Sequence, residues 1–291
     1  MHALRPLQSE PHHNSLMTLT PQGFHRISYI EWGEPTNENI LICVHALTRN
    51  SRDFDYLARH LQNTYRLACP DLLGSGASDY PGNPEIYSFS QHLNDMVALL
   101  ARLGSQKVHW LGTCLGGILG MMLAAHPNSP IKSLILNDVG MIIPRLALQR
   151  ILTFASNDNK FLSFHEAKKY FQTILAPLGI EDAEHWDHLT QHSIIRDDKG
   201  DFRLAYDPAL GQVSNQANTL HLEAYWQAIK CPTLVIRGEN SDFLEPEIVA
   251  KMQYAQPKAE IATIKGCGHA PSLMAPDQIK IVEDWLTKVS A

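Results

Sequence analysis

The sequence predicts an α/β fold, a mostly parallel sheet flanked by helices with a helical insertion. Short β-rich apolar runs alternate with helix-length segments, the pattern of strands buried on both faces. One run passes through a glycine-bracketed turn straight into an apolar helix. The alternation then stops, and residues 143–228 read as several helices, a stretch too long to be a loop in a compact domain.

In chain order, an extended pair is expected around residues 17–33, with Gly23 at the turn. Strands follow at Ile40–His45, Tyr65–Pro70, Val108–Gly112, Leu134–Asn137, Thr233–Arg237 and Ile261–Ile264. Ser88 with Gln91 has the form of a capping box, opening a helix that Gly104 closes and that carries Leu93, Met96, Leu99, Leu100 and Leu103 on one stripe. Ser163 with Glu166 repeats the pattern before Ala167, Tyr170, Phe171 and Ile174, and a last helix starts at Pro276. The division is therefore a flexible segment at 1–16, a core from 17–140 and 229–291, and a helical cap at 141–228. The cap belongs over the carboxyl ends of the strands, where open α/β sheets place their sites.

Among 291 residues, 24 Lys and Arg face 30 Asp and Glu, and the basic residues are scattered. That argues against nucleic-acid or anionic-membrane partners. Five cysteines are an odd number in a chain too large to need staples, so free thiols in a reducing compartment are expected. With no signal-like leader and no apolar run of membrane length, the chain is expected to be soluble and cytoplasmic. Fifteen histidines are mostly scattered, without an HExxH or CxxC frame, and no metal is expected. No P-loop or GxGxxG follows a strand, so no cofactor is expected either.

The chemistry centres on Val108-His109-Trp110-Leu111-Gly112-Thr113-Cys114-Leu115-Gly116-Gly117. A strand running into Gly-x-Cys-x-Gly and then a helix has the form of a nucleophile elbow, which exposes Cys114 at a helix amino terminus where a thiolate is favoured. A base is offered by Gly268-His269, beyond the last strand. The orienting acid is assigned to Asp242, just past strand Thr233–Arg237, with Asp138 after the preceding strand as the fallback. Nucleophile, acid, histidine is the chain order expected of such a triad. The backbone N–H groups of Leu47 and Leu115 are the expected oxyanion donors. His45 is read as a brace for the turn that carries Leu47.

With these residues in view, the chain resembles the α/β-hydrolases from about residue 17 to its end. The resemblance rests on the elbow, on His45-Ala46-Leu47, on the loop Asp71-Leu72-Leu73-Gly74-Ser75-Gly76, on the loop around Asp242 and on Gly268-His269. The wording His45-Ala46-Leu47-Thr48-Arg49-Asn50 and Asn137-Asp138-Val139-Gly140 is similar to a group of bacterial esterases. The resemblance implies that Asp71 is structural, tying down its loop. Two departures stand out: Ala46 where the superfamily commonly has glycine, and Cys114 where it usually has serine.

A cysteine nucleophile implies a thioester intermediate and favours activated acyl donors. In using Gly-x-Cys-x-Gly the chain resembles dienelactone hydrolases and intracellular hydroxyalkanoate-oligomer hydrolases, which implies hydrolysis of carboxylic esters, lactones or hydroxyalkanoate oligomers. An engineered Ser-to-Cys replacement or a degenerate site would also place cysteine there. Acyl transfer or C–C bond hydrolysis would use the same triad, and a hydrolase-fold binder of a small hydrophobe is the alternative of another class. The expected partner is a small acyl substrate, with Trp186, Tyr225 and Trp226 as candidate pocket walls.

Overall fold

The computed structural model describes residues 10–197, 199–212 and 218–290. His12–Thr20 (β1) and Gly23–Trp32 (β2) form an antiparallel hairpin, with Gly23 at φ 127° beside the turn. Residues 12–16 thus belong to the sheet and not to a loose leader, because His12-His13-Asn14-Ser15 pair as strand without the apolar alternation that would reveal it. Residues 1–9 of the expected flexible segment lie outside the described residues.

Ile40–Val44 (β3), the helix Asp55–Leu61 (α1) and Arg66–Pro70 (β4) follow. Next come Phe89–Leu103 (α2), Val108–Thr113 (β5), Leu115–Ala125 (α3) and Ile131–Asn137 (β6). In α2 the Ser88 side chain accepts from the Gln91 N–H and Gly104 closes the helix at φ 71°, as its sequence requires. The second half of the capping box is not made: the Gln91 amide instead donates to Leu19 O and Asp95, tying α2 to the hairpin. Helix α3 is buried from Leu115 to Ala124, which explains why it shows no polar face.

The insertion contains Ile142–Ile143 (β7), Arg145–Ala155 (α4), Lys160–Phe161 (β8), Phe164–Ile174 (α5) and Ala183–Ser193 (α6). It continues through Ile194–Arg196 (β9), Phe202–Leu204 (β10) and Leu220–His221 (β11), after which comes Glu223–Ala228 (α7). It is not purely helical: β8, β10 and β9 form a small antiparallel sheet, and β7 pairs with β11. Strands of two or three residues are too short for any period to register. The β7–β11 ribbon, with Leu222 N–H donating to Met141 O, closes the insertion at its base. Helix α7 follows that closure, so it packs with the core on α3 instead of belonging to the cap.

Thr233–Gly238 (β12), Pro246–Ala255 (α8), Glu260–Ile264 (β13) and Pro276–Ser290 (α9) complete the fold. The main sheet has the order β1-β2-β4-β3-β5-β6-β12-β13, antiparallel across the first three strands and parallel beyond. The winding reverses between β3 and β5, so the loops leaving those two strands meet at a crevice. One core layer packs α2 and α3 against the sheet through Met96, Leu99, Ile118, Leu119 and Leu136. The other packs α1 and α9 through Leu57, Leu61, Val282 and Leu286. Burial of each such side chain contributes about 1.5–3 kcal/mol. Among the described residues, no helix is long and apolar enough to cross a membrane.

Candidate active site

Cys114 occupies the turn between β5 and α3 at φ 48° and ψ −108°, a conformation that costs a non-glycine residue strain. The flanking glycines make that turn possible. A Cβ on Gly112 would overlap the Gly116 carbonyl, and one on Gly116 would overlap the Val44 carbonyl. Gly116 N–H donates to His45 O at 3.2 Å, joining the elbow to the turn after β3, and Cys114 N–H donates to Asn137 O at 3.0 Å. The sulfur is thereby fixed at the crevice, 5% exposed as a residue.

His269 follows β13 and lies within hydrogen-bond reach of Cys114. Its Nδ1 is 2.7 Å from Asp138 Oδ2, so Nδ1–H donates to the carboxylate and Nε2 is left for the sulfur. Burial would lower the imidazole pKa. The Cys114 charge opposes it most strongly, the Asp138 hydrogen bond and charge add to that, and the net result is a rise to about 9. Phe243 stacks on the ring at 4.2 Å between centroids and holds its plane.

The acid touching His269 is therefore Asp138, not Asp242. Asp242 has a side chain 59% exposed and pairs with Arg150 at 2.7 Å. Asp138 is fully buried at φ 53°, a left-handed conformation that aspartate tolerates better than most residues. Its carboxylate accepts from Gly238 N–H at 3.0 Å, Ser241 Oγ–H at 2.6 Å, Ala270 N–H at 3.1 Å and His269. Ser241 also accepts the Phe243 and Leu244 N–H groups, so the loop after β12 contributes a brace and not the acid itself. The available signal was an aspartate directly after strand residue Asn137; Ser241 and Phe243 carried none.

Leu115 is the first residue of α3, so its N–H has no intrahelical acceptor and faces the elbow. Leu47 lies on the opposing turn, which His45 braces: His45 Nε2 accepts from Leu72 N–H at 2.9 Å while Nδ1–H donates to Ala46 O at 2.7 Å. Both ring nitrogens are thus committed, and burial lowers the pKa of His45, as suits a neutral brace. Asp71 accepts Ser51 N–H and Ala77 N–H, tying down its loop as the resemblance implied.

Two cavities meet at Cys114 and Leu47. One, of about 310 Å³, is walled by Ile151, Phe154, Leu175, Pro177 and Leu178, with Arg49 and Arg150 as its cations. The other, of about 470 Å³, is walled by Leu115, Ile118, Leu148, Ile151 and Leu220. None of the three expected aromatic walls lines either cavity. Trp186 sits in the cap's own core and donates to Ile180 O. Trp226 is buried in the main core and donates to Met252 O, while its neighbour Tyr225 is 37% exposed on α7. Large aromatics at helical spacing satisfy core packing first, and here packing claimed the two tryptophans.

Burial raises the thiol pKa of Cys69 and Cys267 and pushes that of Cys231 up to about 11. All five cysteines are free. Asp55, His188 and His192 bring donor atoms within 4.8 Å of one another, but the Arg52 guanidinium sits 2.6 Å from Asp55 Oδ2 and supplies its counter-charge. That cluster lies at the contact of α1 with α6, and its three residues line neither cavity at Cys114.

Comparison with known proteins agrees with the topology. Residues 39–276 match the α/β hydrolase fold family. The chain is 37% identical over 292 residues to a 3-hydroxybutyrate-oligomer hydrolase from Cupriavidus necator, covering 97% of this chain and 99% of the relative. Lipase 1 from Psychrobacter immobilis is 24% identical, over 90% of this chain and 81% of the lipase. The crystal structure of an α/β hydrolase from Novosphingobium aromaticivorans superposes with a TM-score of 0.85 at 30% identity, covering 96% of this chain and 99% of that one. With its sheet order, its elbow and these matches together, the chain belongs to the α/β-hydrolase fold family.

Proposed function

We propose that this hydrolase cleaves carboxylic esters of hydroxyalkanoic acids, small oligomers among them, through a thioester on Cys114. The observation that carries the reading is the strained elbow, with Cys114 within reach of a His269 that Asp138 holds in one orientation. The relative named for 3-hydroxybutyrate oligomers supports the substrate class. Two largely apolar cavities on either side of the sulfur suit the two halves of an ester, acyl part and leaving alcohol.

In the first half-reaction the Cys114 sulfur attacks the ester carbonyl carbon. The developing oxyanion is met by the Leu115 N–H and, from the opposing turn, the Leu47 N–H. His269, holding the proton on Nε2, passes it to the departing alkoxide, and the alcohol leaves. Water then attacks the thioester while the neutral His269 takes its proton. The tetrahedral intermediate expels the thiolate, free acid departs, and the imidazolium is restored beside the sulfur. Asp138 stabilises that imidazolium in both halves and is not itself protonated.

Intact-mass spectrometry after exposure to p-nitrophenyl butyrate and to a 3-hydroxybutyrate dimer tests the reading. A single acyl adduct on Cys114, formed in a burst and discharged to water, is the expected result. Turnover that persists in Cys114→Ala, or no adduct with either ester, would overturn it.

A further inference from the structure

The larger cavity beside Cys114 is lined by a buried histidine that the ester mechanism does not use. His92, on α2, is 3% exposed and lines that cavity together with Leu115, Ile118, Leu148 and Leu220. Neither of its ring nitrogens is engaged by another described group, and Nδ1 is wholly buried. Three other buried histidines differ: His45 uses both nitrogens on the backbone, His109 uses both on Ser133 and Asn39, and His25, whose Nδ1 is also unpaired, engages Thr18 and Asp95 through Nε2. Buried polar groups are normally paired, so an unpaired imidazole facing a cavity next to a nucleophile points to a ligand.

The ring's surroundings narrow the ligand's chemistry. Burial, followed by the charges of His45 and His25, lowers the His92 pKa to about 4, so the ring is neutral near pH 7. With Nδ1 buried, the ring presents Nε2 to the cavity, and a neutral Nε2 either donates or accepts one hydrogen bond, which suits a hydroxyl because a hydroxyl can take either role. It gives no counter-charge to a carboxylate. The Tyr87 ring lies nearly parallel to that of His92, 6.5 Å between centroids.

We infer that this cavity holds the acyl half of the ester and that His92 hydrogen-bonds a hydroxyl on the acyl chain. His92 is then the residue that separates hydroxyacyl from plain acyl substrates. The inference rests on the ester-hydrolase reading above and deepens it, assigning the acyl part to the cavity of about 470 Å³ and the leaving alcohol to the one of about 310 Å³.

The test compares p-nitrophenyl 3-hydroxybutyrate with p-nitrophenyl butyrate, which differ by one hydroxyl and share a leaving group. The unaltered protein is expected to favour the hydroxy ester in kcat/KM by about tenfold or more, the worth of one well-placed hydrogen bond. His92→Leu should erase that ratio by lowering kcat/KM for the hydroxy ester about tenfold more than for the butyrate, and His92→Gln should restore part of it. A ratio unchanged in His92→Leu, or equal use of both esters by the unaltered protein, overturns the inference and leaves the esterase reading standing. Failure of the unaltered protein to hydrolyse either ester overturns both. Should His92→Leu not fold, the His92 ring resonances of the unaltered protein decide: they are expected to shift with 3-hydroxybutyramide and not with butyramide, and equal responses would refute the inference.

Discussion

Replacing Asp138 by asparagine discriminates most sharply between the two candidate acids. The change is nearly isosteric, but it removes the charge and turns one oxygen into an N–H donor. Three donors converge on Asp138 Oδ2, those of His269, Ser241 and Ala270, and Gly238 N–H points at Oδ1. An amide that keeps its oxygen toward His269 must aim its NH₂ at Gly238 N–H, a donor facing a donor. The lost partner costs about 1–3 kcal/mol of stability. The opposite orientation would force His269 into the wrong tautomer, and loss of the carboxylate charge weakens the imidazolium in either case. An analogous exchange in a serine triad lowers kcat about 10⁴-fold, so a fall of roughly 10²–10⁴ is expected here. Asp242→Asn breaks only an exposed pair with Arg150, whose side chain is 48% exposed, so stability should change by about 0–1 kcal/mol and turnover within a few-fold. The assay is steady-state hydrolysis of p-nitrophenyl butyrate, with melting curves to establish folding. A folded Asp138→Asn that turns over normally would refute the reasoning, as would an Asp242→Asn equally impaired.

Three further outcomes are expected. Because the His269 pKa is raised from 6.5 to about 9, burial being outweighed by Cys114 and then Asp138, its contribution to stability is fully present below pH 6.5 and lost as pH rises through about 9. An imidazolium resonance visible at pH 7 in the unaltered protein should therefore titrate at lower pH in Cys114→Ala; an unmoved titration contradicts the pairing. Iodoacetamide should label Cys114 well before Cys69, Cys231 and Cys267, whose thiols burial holds protonated, and equal labelling rates by peptide mass mapping would count against a reactive elbow. Gly116→Ala drives a Cβ into the Val44 carbonyl, so denaturant titration should show a loss of about 1–3 kcal/mol or failure to fold; an unchanged midpoint would mean the turn is not as tight as described.

The parallel sheet, the strand–turn–helix at Cys114 and the position of His269 after the last strand were legible in the sequence because each is a local pattern. Strands buried on both faces read as apolar runs, as Val108–Thr113 does, and an elbow needs glycines at two fixed offsets from its nucleophile. Ser88, Gly104 and Ser163 marked helix ends because capping is a contact between residues at most a few positions apart. The two-residue strands of the cap fell below any readable period. So did the start of β1, whose polar residues pair through backbone alone.

The acid and the pocket were of another kind. Strands β6 and β12 are neighbours, and each ends near an aspartate, so chain order left Asp138 and Asp242 both able to reach His269. The choice fell to the conformations of two loops: Asp138 turns inward at φ 53°, and Ser241 folds back to hold it, which leaves Asp242 facing solvent. In the same way Trp186 and Trp226 were recognisable as large apolar groups, but which cavity or core they fill depends on how α6 and α7 pack. Sequence alone determined the sheet, the strained cysteine and its histidine, since these depend on residues close together in the chain. Tertiary structure decided which carboxylate meets His269, which residues wall the cavities and that His92 stays unpaired, because these depend on which side chains from distant segments arrive at the same few ångströms of space.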